Sequence, residues 1–97
     1  MTEKAEKHYL FVYSSTLGTR EQIKACLDSI PQILRWRTDL PSSFYLISGG
    51  ETANELTDLI VECMGKHGRF IVAEIGPNTQ GYLLLDGWRF IGRGKNK

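Results

Sequence analysis

The chain has 97 residues, 41% hydrophobic and 24% charged, and its twelve Lys and Arg against eleven Asp and Glu leave a net charge of +1. A chain of this length builds one core and does not divide it. No apolar run approaches the roughly 20 residues that cross a membrane, and the even charge balance gives no global electrostatic pull toward nucleic acid. The opening MTEKAEK mixes both charges and lacks the apolar stretch of a secretory signal. The sequence therefore predicts one cytoplasmic domain over residues 1–97, with residues 1–7 and 92–97 as disordered tails.

In chain order, His8 to Tyr13 is aromatic and branched and apolar on both faces, as suits a central strand. A polar loop from Ser14 to Gly18 leads to Thr19, which with Gln22 three residues on spells a capping box. Ile23, Cys26, Leu27 and Ile30 then recur at helical spacing until Pro31 stops the helix. Ile33 to Thr38 and Phe44 to Ser48 read as two strands joined through Asp39-Leu40-Pro41-Ser42. Alternation with period two places Leu34 and Trp36 on one face of the first of these and Arg35 and Arg37 on the other.

Gly49-Gly50 breaks the strand, and Thr52 with Glu55 makes a second capping box ahead of the stripe Leu56, Leu59, Ile60 and Cys63. Gly65 and Gly68 end that helix, Phe70 to Ile75 forms the next strand, and Gly76-Pro77-Asn78 turns the chain. Gly81 to Ile91 reads as a last short strand around Leu83, Leu84 and Leu85, which either extends the chain's own sheet or pairs with a second copy. This order predicts an α+β fold, a ferredoxin-like βαββαβ two-layer sandwich with an additional C-terminal strand. Cys26 and Cys63 both fall on apolar stripes and read as reduced core thiols.

Few residue patterns in the chain carry chemistry. Two cysteines 37 residues apart and two lone histidines make no zinc-ligand spacing. Six residues of strand separate Ser14 from His8 by roughly 20 Å, too far for nucleophile and base in one subunit. Ser48-Gly49-Gly50 lacks the lysine of a phosphate-binding loop and reads as a turn before a helix cap. No catalytic group, metal or cofactor is predicted.

Two binding clusters remain. The sheet order places Ser14 and Ser15 beside Ser43, His67 and Arg69, at the edge where the first helix opens. Ser14, Ser15, the Gly18 and Thr19 amides, Arg69 and an auxiliary His67 make a candidate anion site. Arg35, Arg37, Arg89, Arg93 and Lys95, interleaved with Trp36 and Trp88, make a candidate nucleic-acid surface, although Trp36 alternates onto the core side.

The segments YLFVYSSTLGTREQIKACLDSIP, LPSSFYLIS, RFIVAEI and GYLLLDGW, in this order, resemble the SinR-like family over residues 8 to 91. That family is related in fold to the CRISPR-associated protein Cas two and to virulence-associated protein D. The resemblance implies a ferredoxin-like homodimer formed through its sheets, with the C-terminal strand crossing to the partner. Nuclease-active Cas two proteins carry a metal-binding aspartate at the end of strand one, where this chain has Tyr13 followed by Ser14 and Ser15. A serine hydroxyl offers magnesium no negative charge.

Three functions are consistent with these readings. The first is a non-catalytic dimeric binding protein for nucleic acid or a protein partner. The second is a metal-dependent nuclease that uses other carboxylates, such as Glu74 or Asp39. The third is an interaction or regulatory factor of a mobile element or defence locus, offering a sheet edge for strand pairing.

Overall fold

Residues 5–76, 78–79 and 81–91 are described by the computed structural model. β1 (Lys7–Tyr13) sends Tyr9, Phe11 and Tyr13 into the interior on alternate positions. α1 (Arg20–Ser29) opens on Thr19, whose side chain accepts from the Gln22 amide while the Gln22 side chain reaches back to the Thr19 amide. β2 (Ile33–Arg37) and β3 (Ser43–Ser48) follow, and every residue of β3 is buried. α2 (Ala53–Met64) repeats the reciprocal cap with Thr52 and Glu55 and stops at Gly65, whose φ of 85° suits a residue without a side chain. β4 (Phe70–Glu74) and a short α3 (Leu85–Ile91) complete the described chain.

The four strands form one antiparallel sheet in the order β2-β3-β1-β4. β1 therefore lies inside, paired to β3 from Lys7↔Ser48 to Val12↔Ser43 and to β4 from Tyr9↔Glu74 to Tyr13↔Phe70. One face packs under α1 and α2. There Tyr9, Phe11, Tyr13, Phe44 and Leu46 meet Ile23, Leu27, Leu56 and Ile60. Phe11 is the hub, with ring centroids of Tyr13 and Phe70 each at 5.5 Å. Each such side chain contributes roughly 1.5–3 kcal/mol when fully removed from water, so this face holds most of the fold. The result is a small α+β arrangement compatible with two layers, helices α1 and α2 on a four-stranded sheet.

The structure departs from the sequence expectations at four points. The segment after Gly81 forms no strand among the described residues; Leu85–Ile91 is a helix. The Gly87 and Trp88 amides donate to the Leu84 carbonyl at 2.9 and 3.3 Å, and the turn carries Trp88 onto the second face of the sheet. There it joins Tyr45 and Ile75, with Leu10, Leu83 and Phe90 packed around them. A strand would have placed the three leucines alternately up and down. The helix instead leaves Leu84 and Leu85 outside, 70% and 60% exposed.

Leu34 does not share a face with Trp36. The ladder pairs Ile33 with Ser48 and Arg35 with Ile47, so Leu34 is the extra residue of a bulge and is exposed, while Ile33 takes the core position. The cysteines are not separate reduced thiols either. Cys26 and Cys63 are joined as a disulfide between α1 and α2, with Cα atoms 5.8 Å apart, because the two apolar stripes meet where the helices approach. Cys26 is buried and Cys63 exposed.

Lys7, expected in a tail, is the first residue of β1. The rest of that tail up to Lys4, and the C-terminal tail 92–97, lie outside the described residues. Among the described residues no helix is long and apolar enough to cross a membrane.

Candidate functional site

The end of β1 carries the residues of the candidate anion site, and the topology does bring them together. The Ser14 amide donates to the Arg69 carbonyl at 2.8 Å, and the Arg69 amide returns a bond to Ser14 Oγ at 3.2 Å. His67 Nε2 lies 3.2 Å from the Leu17 carbonyl oxygen. Packing between the two loops is tight, since a Cβ on Gly68 would overlap the Leu17 backbone, which makes Gly68 indispensable to the approach. Most of the donors are spent within the protein. Ser14 Oγ and Thr16 Oγ1 are 2.6 Å apart, the Thr19 amide donates to Gln22 Oε1 at 2.9 Å, and Thr19 Oγ1 accepts from the Gln22 amide at 3.1 Å. Of the candidate residues, Ser15, Thr19, His67 and Arg69 are exposed.

The candidate nucleic-acid surface is divided. Arg35 and Arg37 pair with Ile47 and Tyr45 across the ladder, which puts both on the sheet face opposite α1 and α2. Each described arginine of the set has an acid beside it. Arg37 Nε is 2.9 Å from Asp39 Oδ1, while Arg35 reaches Glu6 at 3.6 Å and Arg89 reaches Asp86 at 3.9 Å, both at the exposed surface. Exposed pairs of this kind contribute little to stability, but they lower the local positive potential. The Arg35 guanidinium also sits 6.0 Å from the Phe90 ring centroid.

Neither tryptophan is free to stack on a base. Trp36 donates from Nε1 to Asp28 Oδ1 at 2.8 Å and meets Phe44 edge-on at 5.3 Å, whereas Trp88 is buried. Arg93 and Lys95 lie outside the described residues.

Three features were not found by sequence reasoning. The first is a recess of about 210 Å³ between the second sheet face and α3, walled by Leu10, Leu40, Tyr45, Ile75, Leu83 and Trp88. The Tyr45 hydroxyl is buried and has no hydrogen-bond partner among the described residues. Burial holds its proton above the ordinary range, the Asp39 carboxylate adds to the effect and Arg37 opposes it. The Asp39 side chain is itself only 8% exposed, with Oδ1 on Arg37 and the buried Oδ2 occupying the space that a Cβ on Gly87 of α3 would need.

The second is the β4 edge, where Val12 and Ile71 are register partners on the same second face and remain 38% and 63% exposed, beyond the cover of α3. The third is the disulfide, beside a groove of about 450 Å³ between α1 and α2. Period two assigns Tyr45, Ile47 and Ile71 to one face of the sheet, but the sequence carries no signal for where α3 stops covering that face.

The candidate acids named by sequence stand apart in role. Asp39 is engaged with Arg37, and Glu74 is exposed at the end of β4, in register with Tyr9. The Tyr9 hydroxyl donates to the Glu51 carbonyl at 2.7 Å, and burial first, then Glu74, Glu51 and Glu55, push its proton affinity up. Among the described residues no group of three or more His, Cys, Asp or Glu is placed to hold a metal. Comparison of the chain with protein-family models, with curated proteins and with solved structures finds no match.

Proposed function

We propose that this chain is a small, non-catalytic binding protein of the ferredoxin-like βαββαβ class, akin to the SinR-like family, that takes a protein partner along β4, with a second copy of itself as the first such partner. The observation that carries the reading is the uncovered apolar pair formed by Ile71 on the edge strand β4 and its register partner Val12 on the neighbouring β1. An edge strand presents unpaired backbone donors and acceptors, and an apolar pair beside it adds surface that gains from burial. The strand order β2-β3-β1-β4, with α1 and α2 on one face, supports the fold assignment. A protein partner is favoured over nucleic acid because Arg35, Arg37 and Arg89 each stand beside an acid and both tryptophans are engaged in packing.

Light scattering after size exclusion tests the reading. A dimer mass that falls to the monomer in Ile71→Lys, with the fold retained by circular dichroism, is the expected outcome. A monomer at all concentrations that shifts labelled oligonucleotide in a salt-sensitive way, and loses the shift in Arg35→Ala with Arg37→Ala, would overturn it in favour of nucleic-acid binding. Magnesium-dependent cleavage of short RNA, abolished by chelation, would overturn the non-catalytic part.

A further inference from the structure

The disulfide has one buried and one accessible sulfur-bearing residue. Cys26, in α1, is 5% exposed, whereas Cys63, in the last turn of α2, stands at the surface. The bond crosses 37 positions of sequence and ties together the two helices that cover the main core face. Beside it runs the open groove, with Gln22, Ser29, Met64 and His67 on its walls. A volume of about 450 Å³ accommodates a small peptide-sized molecule.

We propose that Cys26–Cys63 is a reversible clamp between α1 and α2, opened and closed by thiol–disulfide exchange with a small peptide thiol of the glutathione class, and that Cys63 is the residue on which the mixed disulfide forms. Exchange requires an attacking thiolate to reach one sulfur along the S–S axis, so access decides which sulfur is attacked. Opening begins when the incoming thiolate bonds to Cys63 Sγ and the protein S–S bond breaks. The electron pair of that bond leaves with Cys26 Sγ, which takes a proton from solvent. A second thiolate attacks the small-molecule sulfur of the mixed disulfide, releasing the Cys63 thiolate. In sum, two small thiols are oxidised to their disulfide and one protein disulfide is reduced to two thiols. Closing runs in reverse, with Cys26 as the resolving thiol.

The clamp removes freedom from the unfolded chain and holds the groove at one width. Reduction of the native protein is expected to lower Tm by roughly 10–20 °C, from the usual effect of a disulfide closing a loop of this size on a domain of this length. Thiol titration is expected to count no free thiol in the oxidised protein and two after incubation with excess reduced glutathione, with oxidised glutathione restoring the first state.

The site assignment is tested with the single variants and oxidised glutathione, read by intact mass. Cys26→Ser is expected to take up one glutathione at Cys63 at least ten times faster than Cys63→Ser takes one at Cys26, and urea is expected to abolish the difference. Equal rates in the folded variants would overturn the assignment. Should a variant fail to fold, an acid quench of the native protein part-way through reduction, followed by peptide mapping, decides the same point: the adduct on the Cys63 peptide supports it, and the adduct on the Cys26 peptide overturns it. Two free thiols persisting in excess oxidised glutathione, or none appearing in excess reduced glutathione, would overturn the clamp itself.

Discussion

Tyr9 and Tyr45 are both buried tyrosines of neighbouring strands, yet their hydroxyls have opposite circumstances. Tyr9 donates to the Glu51 carbonyl at 2.7 Å, and Tyr45 has no partner among the described residues. A satisfied hydrogen bond contributes about 1 kcal/mol net, while a buried group left unpaired loses its hydration with no return. Tyr9→Phe is therefore expected to cost about 1 kcal/mol, and Tyr45→Phe to be neutral or stabilising by about as much, both read from urea midpoints. A substantial loss in Tyr45→Phe would mean that the hydroxyl has a partner after all. Both tyrosines hold their protons above the ordinary value of 10.0. Above about pH 10 the unfolded chain has lost protons that the folded chain keeps, so the linked stability is fully present below that pH and falls as pH rises through the folded values. Tyr45→Phe is expected to flatten part of that alkaline decline. Period two along a strand puts Tyr45 on the face opposite Phe44 and Leu46, but nothing in the sequence says whether its hydroxyl finds an acceptor.

The elements are most legible where the signal is local. Thr19 with Gln22 and Thr52 with Glu55 each form the reciprocal cap that their spacing announces, with the threonine oxygen 3.1 Å from the amide it accepts from in both. Both helix starts, and the stop before Pro31, depend on contacts within four residues. Thr19→Ala and Thr52→Ala are each expected to cost about 1 kcal/mol, with serine at either position restoring most of it. The caps lie on different helices and share no partner, so the double variant is expected to lose about the sum, and a clear departure would mean that the two starts are coupled. Legibility fails where an element's form depends on what lies across from it. The Leu83-Leu84-Leu85 run has no period that separates strand from helix, and only the apolar ground of Tyr45 and Ile75 decides that Trp88 turns inward. The bulge at Leu34 is set by the β3 register, which the β2 sequence does not contain. Helical spacing placed both cysteines on apolar stripes, but it carries no information on whether two stripes meet. For the same reason the candidate anion cluster was found from topology, while the internal use of its donors became visible only with the loops in place.

At the scale of the whole molecule, the sheet has two unequal faces. The first is sealed by α1 and α2 over an aromatic core centred on Phe11, and the second is covered in part by α3 through Trp88. That asymmetry separates the consequences of losing each anchor. Truncating Phe11 empties the centre of the core that both long helices share. Trp88→Ala instead unseats one short helix that packs on side chains of the second face, Leu10 and Tyr45 among them, while the core under α1 and α2 keeps its own contacts. The expected cost is about 3 kcal/mol, the lower end for a buried tryptophan because the surrounding chain is free to relax toward solvent. Uncovering Leu10, Tyr45 and Ile75 joins them to the exposed Val12 and Ile71 in one apolar patch, which is expected to bind a hydrophobic dye and to raise the tendency to self-associate. The chain has only two tryptophans, so Trp36→Phe leaves Trp88 as the sole indole reporter. Its emission is expected to be blue-shifted in the native protein and to move red at the urea midpoint that circular dichroism gives for the same variant. Red emission in native buffer, or an unchanged midpoint and no dye binding in Trp88→Ala, would show that α3 is not seated on the sheet and that the second face is open from the start.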